Sequence, residues 1–188
     1  IKMNKLIECV PNFSEGRDMG IIKQITDVIE RVGGVKLLDV DPGAATNRTV
    51  VTFVGTPDEV IEAAFQAVKK ASELIDMRYH KGEHPRMGAT DVCPLIPVSN
   101  ISMEETVEYA RKLAKRIGEE LAIPVYCYES AAFFPERKNL ATCRAGEYEG
   151  LPQKLINPVW KPDFGPASFN ERSGATAVGA RDFLVALT

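Results

Sequence analysis

The stretch VKLLDVDPGAATNRTVVTFVGTPDEVIEAAFQAVKKASELI, from Val35 to Ile75, decides the fold class. Val35 to Val40 is rich in β-formers, and Asp41-Pro42-Gly43 is expected to break it. Arg48 to Val54 reads as a second extended run, ended by Gly55. Thr56 then opens a helix, with Pro57 at its first position and Glu59 completing a capping box. The apolar residues Val60, Ile61, Ala64, Phe65, Val68, Ala71, Leu74 and Ile75 recur at helical spacing and predict its buried face. Two consecutive strands followed by a long amphipathic helix exclude a purely doubly wound order.

The same alternation continues on both sides. Leu6 to Val10 reads as a strand stopped by Pro11. Ser14 is expected to cap a helix whose face carries Ile21, Ile22, Ile25, Val28, Ile29 and Val32, ended by Gly33-Gly34. Periodicity vanishes from Met77 to Thr90. Val92 to Val98 contains Pro94 and Pro97 and is expected at a sheet edge or as an irregular strand. Ser102 and Glu105 form a capping box before Val107, Ala110, Leu113, Ala114, Ile117 and Leu121. A strand at Pro124–Tyr128, a short helix around Gly146–Leu155 and a loop from Trp160 to Ser173 follow. Ala175–Leu187 is expected to return as one or two strands. The expectation is an α/β (α+β) fold: one compact domain in which amphipathic helices cover a mixed sheet.

Composition bounds the function. The chain has 188 residues with 23 Lys+Arg against 26 Asp+Glu, a net charge of −3, and 45% hydrophobic residues. That hydrophobic content excludes disorder as the dominant state, and a pI near 5.5 argues against a nucleic-acid partner. No apolar run reaches the roughly 18–20 residues needed to span a bilayer, so no membrane partner is expected. Met3 reads as the native start, with Ile1-Lys2 a foreign remnant, 3–188 the domain, and no leader. Cys9, Cys93, Cys127 and Cys143 form no C-x-x-C pair, and buried, reduced thiols of a cytoplasmic protein are expected.

The segment RYHKGEHPRMG, Arg78 to Gly88, holds both histidines. His80-Lys-Gly-Glu83-His84 fits a zinc-peptidase pattern by letter, but that pattern needs a helix. Gly82 and Pro85 deny it one, so no metal is expected. A proton-exchanging histidine in a rigid loop is the second reading, beside a merely solvated loop. Three other stretches concentrate polar chemistry: Val10–Gly16, Asp39–Arg48, and Asp163–Gly174 with its two phenylalanines.

Together these stretches carry a resemblance. ECVPNFSEG (Glu8–Gly16), LLDVD (Leu37–Asp41), TNRTV (Thr46–Val50), TFVG (Thr52–Gly55), GEHPRMGA (Gly82–Ala89), DVCP (Asp91–Pro94), RAGEYE (Arg144–Glu149) and PDFGP (Pro162–Pro166) resemble, in that order, the first half of glutamate formiminotransferase. The resemblance implies transfer of a formimino group between N-formimino-L-glutamate and N5 of tetrahydrofolate, in histidine breakdown and one-carbon metabolism. Tetrahydrofolate would be a co-substrate. The family's catalytic histidine falls on His84. Its folate-contacting loop falls on Gly165, Pro166, Ala167, Ser168, Phe169, Asn170, Glu171, Arg172, Ser173 and Gly174. Residue type suggests Asp39 or Asp41 for a cationic amidinium and Arg48 for a glutamate carboxylate. The resemblance also implies a second formiminotransferase subdomain as partner, and an exposed sheet edge leaves a homodimer open. A formyl cargo, or a half-module that binds folate or a partner without turnover, are the alternatives.

Overall fold

The computed structural model describes residues 4–183. Among them the strands are β1 (Leu6–Cys9), β2 (Asn12–Phe13), β3 (Val35–Gly43), β4 (Arg48–Gly55), β5 (Thr90–Ser99), β6 (Val125–Glu129) and β7 (Thr176–Ala180). The helices are α1 (Met19–Glu30), α2 (Pro57–Leu74), α3 (Met103–Leu121), α4 (Leu140–Arg144) and α5 (Leu151–Ile156). The strands form one mixed sheet. Its order across is β3, β4, then β1 and β2 end to end, then β5, β7 and β6. The β3 to β5 portion pairs antiparallel, and β5, β7 and β6 pair parallel.

Alternation along β4 explains how the sheet is covered. Thr49, Val51, Phe53 and Gly55 are buried, while Arg48, Val50, Thr52 and Val54 stay half-exposed. Successive side chains point to opposite faces, so one face of β4 is packed and the other is open. On the packed face, Ile25 and Ile29 of α1, Val60 and Val68 of α2, and Leu113 and Ile117 of α3 meet Cys9, Phe53, Cys93 and Leu95. Each fully buried Ile, Leu or Phe contributes about 1.5–3 kcal/mol. On the other face a smaller core forms over β6 and β7, where Cys143, Leu151 and Leu155 pack on Tyr126, Tyr128 and Ala177. Across β3, β4, β1 and β2 that second face carries Lys36, Asp39, Asp41, Glu8 and Asn12 in register with Val54, Thr52 and Val50. It is a half-open sheet.

The edge at β6 is sealed by a loop. Val125 N–H donates to the Phe164 carbonyl at 2.9 Å, and Cys127 N–H donates to Asp163 Oδ2 at 2.7 Å. Asp163 is paired with Arg137 at 2.8 Å, both side chains 3% exposed. Arg137 also donates to the Val159 and Lys161 carbonyls, holding the loop against the strand.

Several expectations need correction. Ser14 does not cap α1; its hydroxyl is buried and donates to the Gly88 carbonyl at 2.7 Å. Asp18 caps instead, accepting from Gly20 N at 2.9 Å and from Ile21 N. Asp41-Pro42-Gly43 does not break β3: the strand runs to Gly43 at the sheet edge, where Pro42 needs no donor on its free side. Glu59 forms no capping box, because Thr56 gives its hydroxyl to the Glu59 carboxylate and makes no side-chain cap.

The largest correction is β5: it is central and not an edge, while the irregular alternative holds in the register shifts of β1 and β2 against it. Its two prolines fall where pairing is interrupted. Pro94 faces the gap between β1 and β2, where Val10 N–H donates to its carbonyl at 3.2 Å, and Pro97 lies past the last β7 pair at Leu95. The helix expected at Gly146–Leu155 is displaced to α5, behind a 3-10 turn at Tyr148–Gly150, and α4 and the two-residue β2 were not expected. Ser102 and Glu105 do form the expected box on α3. The part of the expected Ala175–Leu187 return beyond residue 183, like the start at Met3, lies outside the described residues.

Candidate functional site

The four stretches singled out for their chemistry converge at one end of the sheet. Ser14 is bound to Gly88, Gly16 N–H donates to Asn47 Oδ1 at 2.9 Å, and Asn47 Nδ2 donates to the Lys81 carbonyl at 2.9 Å. Glu83 N–H reaches the Ala45 carbonyl, and Ala89 N–H reaches the Ser173 carbonyl at 2.8 Å. The last contact is close because both partners are short. Gly88 and Gly174 bridge each other, and a Cβ at Gly174, whose φ is +67°, would lie 2.1 Å from the Met87 oxygen.

His84 is partly exposed on this irregular loop. Its Nδ1 lies 2.7 Å from the Pro85 carbonyl, and its Nε2 lies 2.6 Å from Arg48 Nη1. A carbonyl can only accept and a guanidinium can only donate, so the ring carries its proton on Nδ1 and a lone pair on Nε2. Burial holds its pKa below the ordinary histidine value. The Pro85 carbonyl opposes that, and the Arg48 and Arg144 charges reinforce it. Arg48, at the start of β4, is itself lowered by burial and by Arg144, against the pull of Asp91 and Asp41. Of the carboxylates expected here, Asp41 shares a hollow with Arg48. Asp39 lies further along β3 on the same open face, opposite Thr52, and does not reach His84.

His80 has a different environment. It is 8% exposed; Nε2 donates to the Asn47 carbonyl at 2.8 Å, and Nδ1 accepts from Arg86 Nε at 3.1 Å. It is a neutral strut beneath the loop, its pKa lowered first by burial. The two histidines have different partners, and residues 80–88 have none of the helix the zinc pattern requires.

The expected folate loop is pinned along its length. Gly165 (φ +84°) packs against Ile123, Phe169 tilts onto Tyr148 at 5.3 Å, and Tyr148 donates to the Glu171 carbonyl. Asn170 Oδ1 accepts from Ser173 N–H at 3.0 Å. The Arg172 carbonyl accepts from Met77 N–H at 2.8 Å, and its guanidinium donates to carbonyls at the end of α2. Ala167 and Ser168 are exposed, and Pro166 is half-exposed. Tyr148 joins this loop to the histidine loop, since its N–H donates to the Arg86 carbonyl at 3.0 Å.

Four charged residues of the site, Asp91, Arg144, Glu147 and Glu149, carried no assignment from sequence. Asp91 is fully buried and lies 2.8 Å from Arg144, while burial pushes its carboxyl up against that pull. Arg86 makes a two-point pair with Glu149 at 2.7 and 2.8 Å. Glu147 stands beside it with φ +55° and ψ −161°, a conformation L-residues rarely adopt. Pro85, Arg144 and Glu147 line a cavity of about 270 Å³. Arg144, Glu147 and Glu149 all stand in RAGEYE, which was the available signal. A larger cavity of about 690 Å³ lies by the β6 edge, but its Arg137 and Asp163 are engaged with each other.

Fold and site together define a class: an α/β domain with a half-open sheet and a charged, histidine-centred cluster at one end. The description "Formiminotransferase domain, N-terminal subdomain" matches residues 6–181, and the chain belongs to that family. It is 58% identical over 184 residues to formimidoyltransferase-cyclodeaminase of Gallus gallus, covering 98% of this chain and 34% of that protein. It is 56% identical over 184 residues to the protein of that name in Dictyostelium discoideum, with the same coverage. To glutamate formimidoyltransferase of Streptococcus pyogenes serotype M1 it is 50% identical, covering 98% of this chain and 62% of that protein. The chain thus spans about a third of the bifunctional relatives' length.

Proposed function

We propose that this chain is the histidine-bearing half of a folate-dependent transferase that moves a formimino group between N-formimino-L-glutamate and N5 of tetrahydrofolate. The observation that carries this reading is the state of His84: an imidazole kept neutral, its lone pair aimed at a cation, at the end of a half-open sheet. The relatives' names, formimidoyltransferase-cyclodeaminase and glutamate formimidoyltransferase, support formimino transfer as the reaction.

The chemistry needs one proton carrier. His84 Nε2 takes the proton that N5 gives up as N5 bonds to the formimino carbon. It returns that proton to the glutamate nitrogen as the old carbon–nitrogen bond breaks, so atoms and charge balance. Arg48 must first leave Nε2, and a substrate carboxylate on Arg48 is the group that draws it away. Asp41 steadies Arg48 from the other side. The Gly165–Gly174 loop, with its exposed Pro166–Ser168 crest, holds the pterin side, and orientation of both substrates contributes much of the rate. Proton movement suffices for these steps. The second formiminotransferase subdomain covers the open face of β3, β4, β1 and β2, and the reaction runs in the cytoplasm.

The test is a formimino-transfer assay with N-formimino-L-glutamate and tetrahydrofolate, on the protein containing both halves and on this chain alone. Turnover with both halves and little with one is expected. No turnover with both halves refutes the reading.

A further inference from the structure

We propose that Glu147 makes the site selective for a cationic formimino cargo over a neutral formyl one; the inference rests on the transfer reading above. The argument begins with which charges are already satisfied. Arg86 is engaged at two points by Glu149, at 2.7 and 2.8 Å. Glu147 reaches Arg86 only through Oε1, at 3.4 Å from Nη1 and 3.2 Å from the backbone N–H. Its side chain remains 44% exposed. One carboxylate charge is therefore left over on this side. On the other side Arg144 is matched by Asp91, and Arg48 stands beside His84 with the exposed Asp41 sharing its hollow.

The Glu147 and Arg48 charges both act on one imidazole, and Glu147 and Arg144 share the wall of the cavity beside Pro85. A site with an anion at one end and cations at the other suits a zwitterion whose positive and negative groups are both near the reacting atom. N-formimino-L-glutamate is such a molecule, because a formamidine is a strong base and is protonated at neutral pH. N-formyl-L-glutamate has the same carboxylates and an uncharged formamide. Arg48 and Arg144 treat the two alike; of the side chains lining the cavity beside Pro85, Glu147 is the carboxylate that tells them apart. The left-handed backbone at Glu147 fits this role, since a strained turn holds the carboxylate at the cavity wall while Arg86 engages only its Oε1.

The experiment uses the protein containing both halves. It measures kcat and KM for N-formimino-L-glutamate, and the inhibition constant of N-formyl-L-glutamate, in the unsubstituted protein, Glu147→Gln and Glu149→Gln. A charge-assisted contact of this kind corresponds to about tenfold in affinity. Glu147→Gln should raise KM about tenfold with kcat little changed and leave the formyl inhibition constant as it was. Glu149→Gln should leave the ratio of the two constants unchanged. Equal weakening of both ligands, or an unmoved ratio in Glu147→Gln, overturns the inference. Absence of formimino transfer in the unsubstituted protein overturns instead the reading beneath it. If Glu147→Gln does not fold, Glu147→Asp decides: a loss confined to the formimino ligand supports the proposal, and an equal loss on both refutes it.

Discussion

Arg48 Nη1 stands 2.6 Å from the His84 lone pair, so a charge on one strand governs proton exchange in a loop 36 residues away. With burial and Arg48 both lowering the His84 pKa, the acid limb of kcat/KM is predicted below the ordinary histidine value of about 6.5. The sign follows because the base works unprotonated, so the rate falls as pH drops through the lowered pKa. Arg48→Gln removes one lowering cause and should move that limb upward. A pH–rate profile checks this; an unmoved limb would show that the two side chains do not interact in the working enzyme. His80 gives a stability counterpart. Its folded pKa is lowered, so unfolded chains bind its proton first and stability is lost as pH falls below about 6.5. Melting curves of His80→Gln should show a shallower acid dependence than the unsubstituted protein. Residue type marked the basic, glycine-bounded loop that holds both histidines, while the choice of His84 over His80 came from the family resemblance. Glu147 was not legible, because a positive φ at a glutamate is imposed by the turn around it and leaves no mark in residue type.

Elements show the same division. Helices with long apolar periodicity, such as α2 and α3, were readable because their spacing is a local property. The edge placement of β5 failed because Pro94 and Pro97 were weighed without their neighbours, and the break between β1 and β2 makes the central Pro94 tolerable, leaving the strand irregular as the alternative had it. Arg137 left no signal at all: in FFPERKN nothing distinguishes it from a surface cation, yet it is 3% exposed and closes the β6 edge with Asp163. Breaking such a buried pair costs about 3–5 kcal/mol. Asp163→Asn should therefore lower the melting temperature by roughly 6–20 °C, and it should expose the Cys127 amide to faster hydrogen exchange. Unchanged melting would mean the pair is dispensable to the fold. Gly174→Ala, meeting the Met87 oxygen at 2.1 Å, should loosen the expected folate loop. The check is folate titration, with weaker binding the expected result.

Across the whole molecule, the sheet brings into one place what the sequence scatters over 160 residues. Val10–Gly16, Asp39–Arg48, Arg78–Ala89 and Asp163–Gly174 belong to different connections, but the mixed topology ends all of them at the same side of the sheet. The mixed class was legible from consecutive strands followed by a helix. The convergence was not, because strand order is a long-range property that no local pattern encodes. The half-open face beside this cluster is the one that the proposed second subdomain would cover. The most direct measurement is steady-state formimino transfer by His84→Ala in the protein containing both halves, with tetrahydrofolate binding followed in parallel. The account predicts a kcat lower by on the order of 10²–10⁴ with folate affinity retained; near-normal turnover would contradict it.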